Sequence, residues 1–390
     1  MITNLFTRFG VVLLVMITLF LYLQDVMTFQ FLTYTYSKYY QLYVLLLFIL
    51  VLLGYSESRS DRTNDYSIKN IGILGTLITI ITVFTGLFVE SQSLSLYLSV
   101  PTCFLSYFAF SYIAKNVPSN KLMLSAYILV GALLLAYLYN YRNVYLISMA
   151  RNNAVYIVLL LLPLVMLNKN RVFTILMSVL ILIAVASSAK RTGTVAGFLG
   201  FLVYLFFVFR NDEKNAFIKK IVIIIALVVV ADFLHGSFIN SLVFERLSAI
   251  DEDDGSRIDV MKTTFSLIKE SNITSLFLGH GWNKVVVDSP IQLSAHNDFL
   301  EVIYDFGLIT FGFYLAFIIQ ILKLTKHMIV LKSMYSGSLV CFVIIFLCLS
   351  MFSHIIIYPH LCIIMFIYLG IITGLINKDN ENRTSYISLG

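Results

Sequence analysis

Long apolar runs separated by short polar stretches fill the chain from end to end. A helix that crosses a bilayer takes roughly 20 mostly apolar residues, within a range of about 17–25. Runs of that kind predict twelve spans, near 6–23, 39–55, 71–89, 94–114, 122–140, 153–168, 172–188, 194–209, 221–238, 298–322, 335–353 and 361–376. Pro101 and Pro163 fall inside two of them, which lipid-phase helices tolerate better than soluble ones. The expected fold is all-α: a polytopic integral membrane protein of about twelve transmembrane helices with one long extracytoplasmic loop. Nine spans lie in 1–234, the loop occupies 235–297, three spans lie in 298–376, and 377–390 is a polar tail expected to be irregular.

Composition agrees with the pattern. The chain is 59% hydrophobic and 12% charged, with a mean hydropathy of +0.89. A soluble domain is nearer 45–50% apolar and about 25% charged. The bilayer is therefore the first partner, and a nucleic-acid partner is not expected. Arg8 followed by an apolar run resembles a signal peptide, but no A-x-A site follows, so the run is read as an uncleaved first span. The four cysteines, Cys103, Cys341, Cys348 and Cys362, all lie in apolar stretches. They read as packing residues, with no metal-ligand spacing.

Charge placement orients the spans. Cytoplasmic loops carry an excess of Lys and Arg. With the N-terminus inside, the inner loops 56–70, 115–121, 169–171, 210–220 and 323–334 hold most of them, including Arg210, Lys214, Lys219 and Lys220. Three arginines break that bias: Arg142 and Arg151 in "NYRNVYLISMARNN", and Arg191 in "SSAKRTG". Five of the six histidines, His235, His280, His296, His354 and His360, also fall on the outer side. Polar chemistry thus gathers at the extracytoplasmic face, as a site for an extracytoplasmic substrate requires.

Within the long loop, Ile258, Met261, Phe265 and Ile268 recur with helical spacing. They predict an amphipathic helix over 257–270, on the membrane surface or folded over a cavity. Ser256 with Asp259 resembles a capping box. Arg257 would then stand in the first turn, where a cation opposes the helix dipole and an anionic partner explains it better than stability. "DEDDG" at 251–255 reads best as a solvated acidic turn. "GHGWN" at 279–283 is a tight turn that presents His280, either to a ligand or to solvent. Trp282 is an interface anchor or a sugar-stacking platform.

The stretch "SAHNDFLEVIYDFGLITFG" at 294–312 begins polar and ends as a membrane helix. Ser294 or Asn297 caps it. Asp298, Glu301 and Asp305 share one face, which should look into protein rather than lipid. His296, Leu300, Ile303 and Gly307 share another, and Gly307 and Gly312 permit close packing. Asp305 is a packing residue with a basic partner or a functional acid. His296, at the membrane–water boundary, suits a general base or a hydrogen-bond donor.

"AHNDFLEVIYDFGLITFG" resembles the signature of the O-antigen polymerase and ligase family of bacterial membrane glycosyltransferases. "SSAKRTGTVAGFL" resembles the family's arginine segment at Arg191. "ERLSAIDEDDGSRIDVMKTTFSLI" resembles its long-loop segment, with Arg246 and Arg257, and "FLGHGWN" its Gly-His-Gly segment. The resemblance covers about 185–315. It implies a fold like that of multi-span lipid-dependent glycosyltransferases (GT-C-like) in the bacterial cytoplasmic membrane. It also implies glycan transfer at the outer face from an undecaprenyl-diphosphate-linked donor to a glycan acceptor hydroxyl, without metal or other cofactor. A flippase and a chain-length regulator are expected partners. In this reading Arg191 and Arg257 stabilise the departing diphosphate, with Arg142, Arg151 and Arg246 behind them. His296 serves the attacking hydroxyl, and His280, Asn297, Glu301 and Asp305 bind or position. Polymerisation of capsular, exopolysaccharide or O-antigen repeat units is expected first and ligation second. A flippase is a more distant alternative, since it predicts internal repeats and short outer loops.

Overall fold

The computed structural model describes residues 73–78, 80–82, 99–116, 127, 131, 154–187, 191–210, 250–353, 355–356 and 359–388. Among them every regular element is helical: α1 (Ser99–Asn116), α2 (Ala154–Leu160), α3 (Leu162–Val165), α4 (Arg171–Ser187), α5 (Arg191–Arg210), α6 (Ile250–Glu270), α7 (Ile273–Leu278), α8 (Lys284–Asp288), α9 (Asp298–Val330), α10 (Ser336–Phe352) and α11 (Pro359–Ser388). Among the described residues three segments are long and apolar enough to cross a membrane: Thr192–Arg210, Asp298–Val330 and Leu361–Asn380. Val155–Val165, Arg171–Ala186 and Ser336–Phe352 are shorter apolar helices. The expected spans at 6–23, 39–55 and 221–238 lie outside the described residues, as does most of 71–89 and 122–140.

Small residues set the helix contacts, as expected where lipid gives no hydrophobic drive between helices. Gly370 and Gly374 on α11 face α1. A Cβ at Gly370 would meet the Tyr107 carbonyl oxygen, and one at Gly374 would overlap that of Ser111. The register rises together along both chains, so α1 and α11 run parallel. Gly200 on α5 faces Cys341 on α10, and Tyr204 faces Gly337, so α5 and α10 run antiparallel. The helices α9 and α10 form an antiparallel pair, marked by Tyr314 with Ser350 at 3.4 Å and by Ser336 Oγ donating to the Met328 carbonyl at 2.8 Å. A turn at Leu161 separates α2 from α3, and the Pro163 carbonyl accepts from Ser338 Oγ at 2.6 Å. A neighbouring side chain thus satisfies backbone near the proline, as the bilayer interior demands.

Two boundaries differ from the sequence expectation. The loop helix α6 begins at Ile250, seven residues before the expected start, and absorbs "DEDDG". Four acids near a helix N-terminus suit the macrodipole, which accounts for the early start. Arg257 therefore stands near the third turn rather than the first, and the dipole argument for an anionic partner does not apply to it. Ser256 and Asp259 lie inside the helix and form no capping box; Asp259 pairs instead with Lys262 at 3.7 Å. At the other end, α11 continues to Ser388, so the tail expected to be irregular is helical through that residue. Once a helix is nucleated, each added residue costs little.

The expected apolar stripe of α6 is divided between protein and surface. Val260 and Thr264 face inward, whereas Ile258 and Phe265 are 51% exposed. Leu267 and Ile268 pack on a small cluster of Val285, Ala295 and Tyr304. The helix folds over the start of α9 and leaves part of its expected apolar stripe outward.

Candidate functional site

The site region is built on the first three turns of α9. Asn297 caps the helix: its backbone is extended, and its Oδ1 accepts from the Phe299 and Leu300 N–H groups at 3.0 and 3.1 Å. Its Nδ2 donates to the Met351 carbonyl near the end of α10, at 3.1 Å. Ser294 is not the cap. The three acids Asp298, Glu301 and Asp305 are all at most 1% exposed, so their shared face looks into protein, as expected.

Each acid has a different environment. Asp298 Oδ1 accepts from the N–H groups of Ile355 and Ile356 at 2.9 and 3.3 Å, which fastens the α10–α11 connection to α9. Asp305 Oδ2 accepts from the Asn283 N–H at 2.8 Å, and its Oδ1 from the Val285 N–H at 3.0 Å. Asn283 precedes α8, so the Asp305 carboxylate caps a loop helix from outside. Its partners are backbone amides, not the basic side chain expected. Glu301 lies one turn from each of the others. Among the described residues neither of its carboxylate oxygens makes a hydrogen bond of ordinary geometry, and the Ala295 and His296 N–H groups face it.

Gly307 breaks α9, with φ 80° and ψ 170°. The turn it interrupts is completed by the Gly-His-Gly segment. The His280 N–H donates to the Tyr304 carbonyl at 3.0 Å, and the Gly281 N–H to that of Asp305 at 2.9 Å. The fit leaves no room for a side chain: a Cβ at Gly279 would overlap the Asp305 carbonyl, and one at Gly307 would overlap that of Phe277. Gly279 also has φ 89°. The close packing expected at Gly307 is present, but as a break rather than a smooth helix contact. Gly312 meets nothing.

His280 belongs to this junction. Its ring stacks on Tyr304 at 4.1 Å between centroids, and its Nδ1 lies 3.1 Å from the Tyr304 carbonyl. A carbonyl only accepts, so Nδ1 carries the proton in that contact. Tyr304 also donates to Asp288 Oδ2 at 2.9 Å. Trp282 is 4% exposed and meets Phe306 edge-on at 5.2 Å. It is an anchor, but in the protein core rather than at an interface. With Tyr314, Phe104 and Phe346 it lines an apolar cavity of about 80 Å³.

His296 is the residue before the cap and has φ 51°. It is therefore outside the helix and does not share a helical face with Leu300, Ile303 and Gly307. Left-handed backbone at a residue other than glycine is uncommon, though His is enriched there, and such residues cluster at functional sites. The end of α10 also meets the start of α5, where Thr192 Oγ1 donates to the Phe352 carbonyl at 3.5 Å. Arg191 opens that helix. The backbones at Arg191 and His296 thus flank the last turn of α10, one through Thr192 and the other through Asn297. Tyr156, at the start of α2, joins the same end through Ser353 Oγ at 3.3 Å.

Arg142, Arg151 and Arg246 lie outside the described residues, as do His235 and His354. For Arg191 and Arg257 only the backbone position is described. Sequence reasoning passed over Tyr304 and Asp288, which tie the loop to α9. It also passed over Ser350, Ser353 and Tyr156 at the α10 end. The serines of "CLSMFSH" were a usable signal, since hydroxyls inside an apolar span need partners.

Residues 176–315 match the family model described as O-antigen ligase. The match begins within α4 and ends within α9, so it includes Arg191, the whole described loop, His296 and the break at Gly307. It bears out the resemblance read from the motifs. No curated protein matches the chain.

Proposed function

We propose that this membrane protein, whose residues 176–315 match the O-antigen ligase family model, polymerises undecaprenyl-diphosphate-linked oligosaccharide repeat units at the outer face of the bacterial cytoplasmic membrane. The observation that carries the reading is His296. It stands in a left-handed conformation directly before the cap of α9, and that cap meets the same end of α10 as the start of α5 at Arg191. A histidine held at a strained position beside an arginine-led helix start suits acid–base work next to an anionic leaving group.

In the proposed reaction the acceptor hydroxyl gives its proton to the His296 imidazole. Its oxygen attacks C1 of the donor sugar from the face opposite the diphosphate, and the C1–O bond to the diphosphate breaks. The electron pair leaves with undecaprenyl diphosphate, and the proton passes from His296 to water. A single displacement inverts C1. Arg191 and Arg257 stabilise the charge gathering on the diphosphate, since guanidinium groups bind such oxygens in pairs. Arg142, Arg151 and Arg246 extend that basic surface toward the glycans. Glu301, whose carboxyl faces the Ala295 and His296 N–H groups, positions the His296 backbone. Asn297 and Asp305 hold the helix start and the loop in register. No metal or other cofactor takes part. A flippase would supply the donor, and a chain-length regulator would limit growth.

The second reading is a ligase that joins a finished polymer to a separate acceptor. The description of the matching family model favours it. Purified full-length protein supplied with lipid-linked repeat units separates the two. Ladder growth from the donor alone means polymerase, and an inert donor that reacts once a second acceptor is added means ligase. Unchanged ladders from His296→Ala and Arg191→Ala would remove the site assignment.

A further inference from the structure

At the end of the bundle away from His296, three connections meet around one cavity of about 320 Å³. They are the α3–α4 connection, the end of α5 and the α9–α10 connection, which are three of the five inner loops read from the sequence. Lys169, Arg171, Arg210 and Lys332 contribute to its walls, and no Asp or Glu is among the described residues that line it. The nearby acid Asp379 accepts from the Tyr335 hydroxyl at 3.1 Å and is not part of the wall.

Basic residues on cytoplasmic loops are ordinary. Four of them around one concavity give an anion several donors at once. Two helices of 17 residues, α4 and α10, begin at this wall, with Arg171 in one and Ser336 and Gly337 in the other. Their N-terminal ends add partial positive charge. The volume lies at the lower end of the range for small-ligand sites, about 300–1,000 Å³.

The surroundings of the cavity favour one source of anion. Met334, in the wall, is 47% exposed. Val172 and Val330, beside wall residues, are 79% and 70% exposed. A soluble phosphate gains nothing from these side chains. A phospholipid places its phosphate among the cations and its acyl chains along the apolar surface beside them. We propose that this cavity binds the headgroup of an anionic phospholipid from the leaflet at this end. Bound there, the lipid ties together the ends of α4, α5, α9 and α10. Arginine serves such a site by forked hydrogen bonding and lysine as a point charge.

Native mass spectrometry of the full chain, taken from vesicles of mixed phosphatidylglycerol and phosphatidylcholine, tests this. The wild type should retain phosphatidylglycerol selectively. Arg210→Gln with Lys332→Gln removes two of the four cations and should weaken that retention roughly 30-fold. Arg210→Lys with Lys332→Arg should keep it, and excess inorganic phosphate should neither displace the lipid nor raise the melting temperature. Equal retention of both lipids by the wild type overturns the proposal without reference to any variant. Retention undiminished in the glutamine variant, with an unchanged size-exclusion profile, also overturns it. Stabilisation by inorganic phosphate with no lipid selectivity would reassign the cavity to a soluble anion and overturn the lipid assignment.

Discussion

Replacing Asp305 with Ala should release the loop from α9 before it affects any chemistry. The carboxylate accepts two backbone N–H groups, from Asn283 at 2.8 Å and Val285 at 3.0 Å, and is 1% exposed. Truncation leaves both donors without a partner, at about 1–3 kcal/mol each for a buried group. Water entering the opened loop recovers part of that. A net loss of about 2–4 kcal/mol in local stability raises the open population by roughly 30- to 1,000-fold, at tenfold per 1.4 kcal/mol. Hydrogen exchange of the full chain in nanodiscs reads this directly, because the protected amides are those of Asn283 and Val285 themselves. Asp305→Asn keeps one acceptor oxygen and turns an NH₂ toward the other donor, so its effect should be intermediate. Glycan transfer should fall together with loop protection in both variants. If Asp305→Ala abolishes transfer while exchange at 283–288 stays at the wild-type rate, the carboxylate acts on substrate and the fastening argument is wrong.

Three further outcomes follow from the same geometry. Gly307→Ala puts a methyl group onto the Phe277 carbonyl and asks an L-residue to hold φ 80° with ψ 170°, at about 1–3 kcal/mol for the backbone alone; circular dichroism should show the helices intact while limited proteolysis opens 279–290. His296→Asn should keep the fold, since Asn tolerates left-handed backbone, yet abolish polymer growth; retained growth in a ladder assay would remove His296 from the reaction. Glu301→Gln removes the carboxylate that faces the Ala295 and His296 N–H groups, so transfer should fall more than the melting temperature does; unchanged transfer would remove Glu301 from the positioning of His296.

Hydropathy made α1, α4, α5, α9, α10 and α11 legible, because a long apolar run has one stable solution in a bilayer. The burial of Asp298, Glu301 and Asp305 was legible for the same reason: three acids on one face cannot look into lipid. Their partners were not legible. Asp305 binds backbone amides about twenty residues away, and an amide is the same group in every residue except proline, so no side-chain pattern announces the contact. The apolar stripe of α6 was legible as a helix, but not which of its members the protein buries: Ile268 packs while Ile258 and Phe265 stay outward, because the buried face is set by where the loop is fastened. Gly307 could be read as a close-packing glycine, but its positive φ depends on a loop that local periodicity cannot anticipate.

The break at Gly307 ties the loop to the membrane fold. Within a bilayer, a helix interruption persists only where protein satisfies the freed backbone groups, each of which costs several kcal/mol if left bare. Here the donors are the N–H groups of His280 and Gly281, and they reach the carbonyls of Tyr304 and Asp305 only because Gly279 and Gly307 carry no side chains. The stacking of His280 on Tyr304 and the burial of Trp282 against Phe306 add to the same junction. Segment 279–288 therefore cannot lift from α9 without stranding carbonyls beside the bilayer, so it moves with the helix as one body. That limits the geometry just beyond it, since only residues 289–295 separate α8 from His296 and the cap at Asn297. A left-handed histidine is held most firmly when both of its neighbours are anchored, and here α8 is pinned by Asp305 while Asn297 is pinned by α10. The acids and glycines of α9 thus need not touch a substrate to matter: they hold rigid the two ends of the short segment that presents His296.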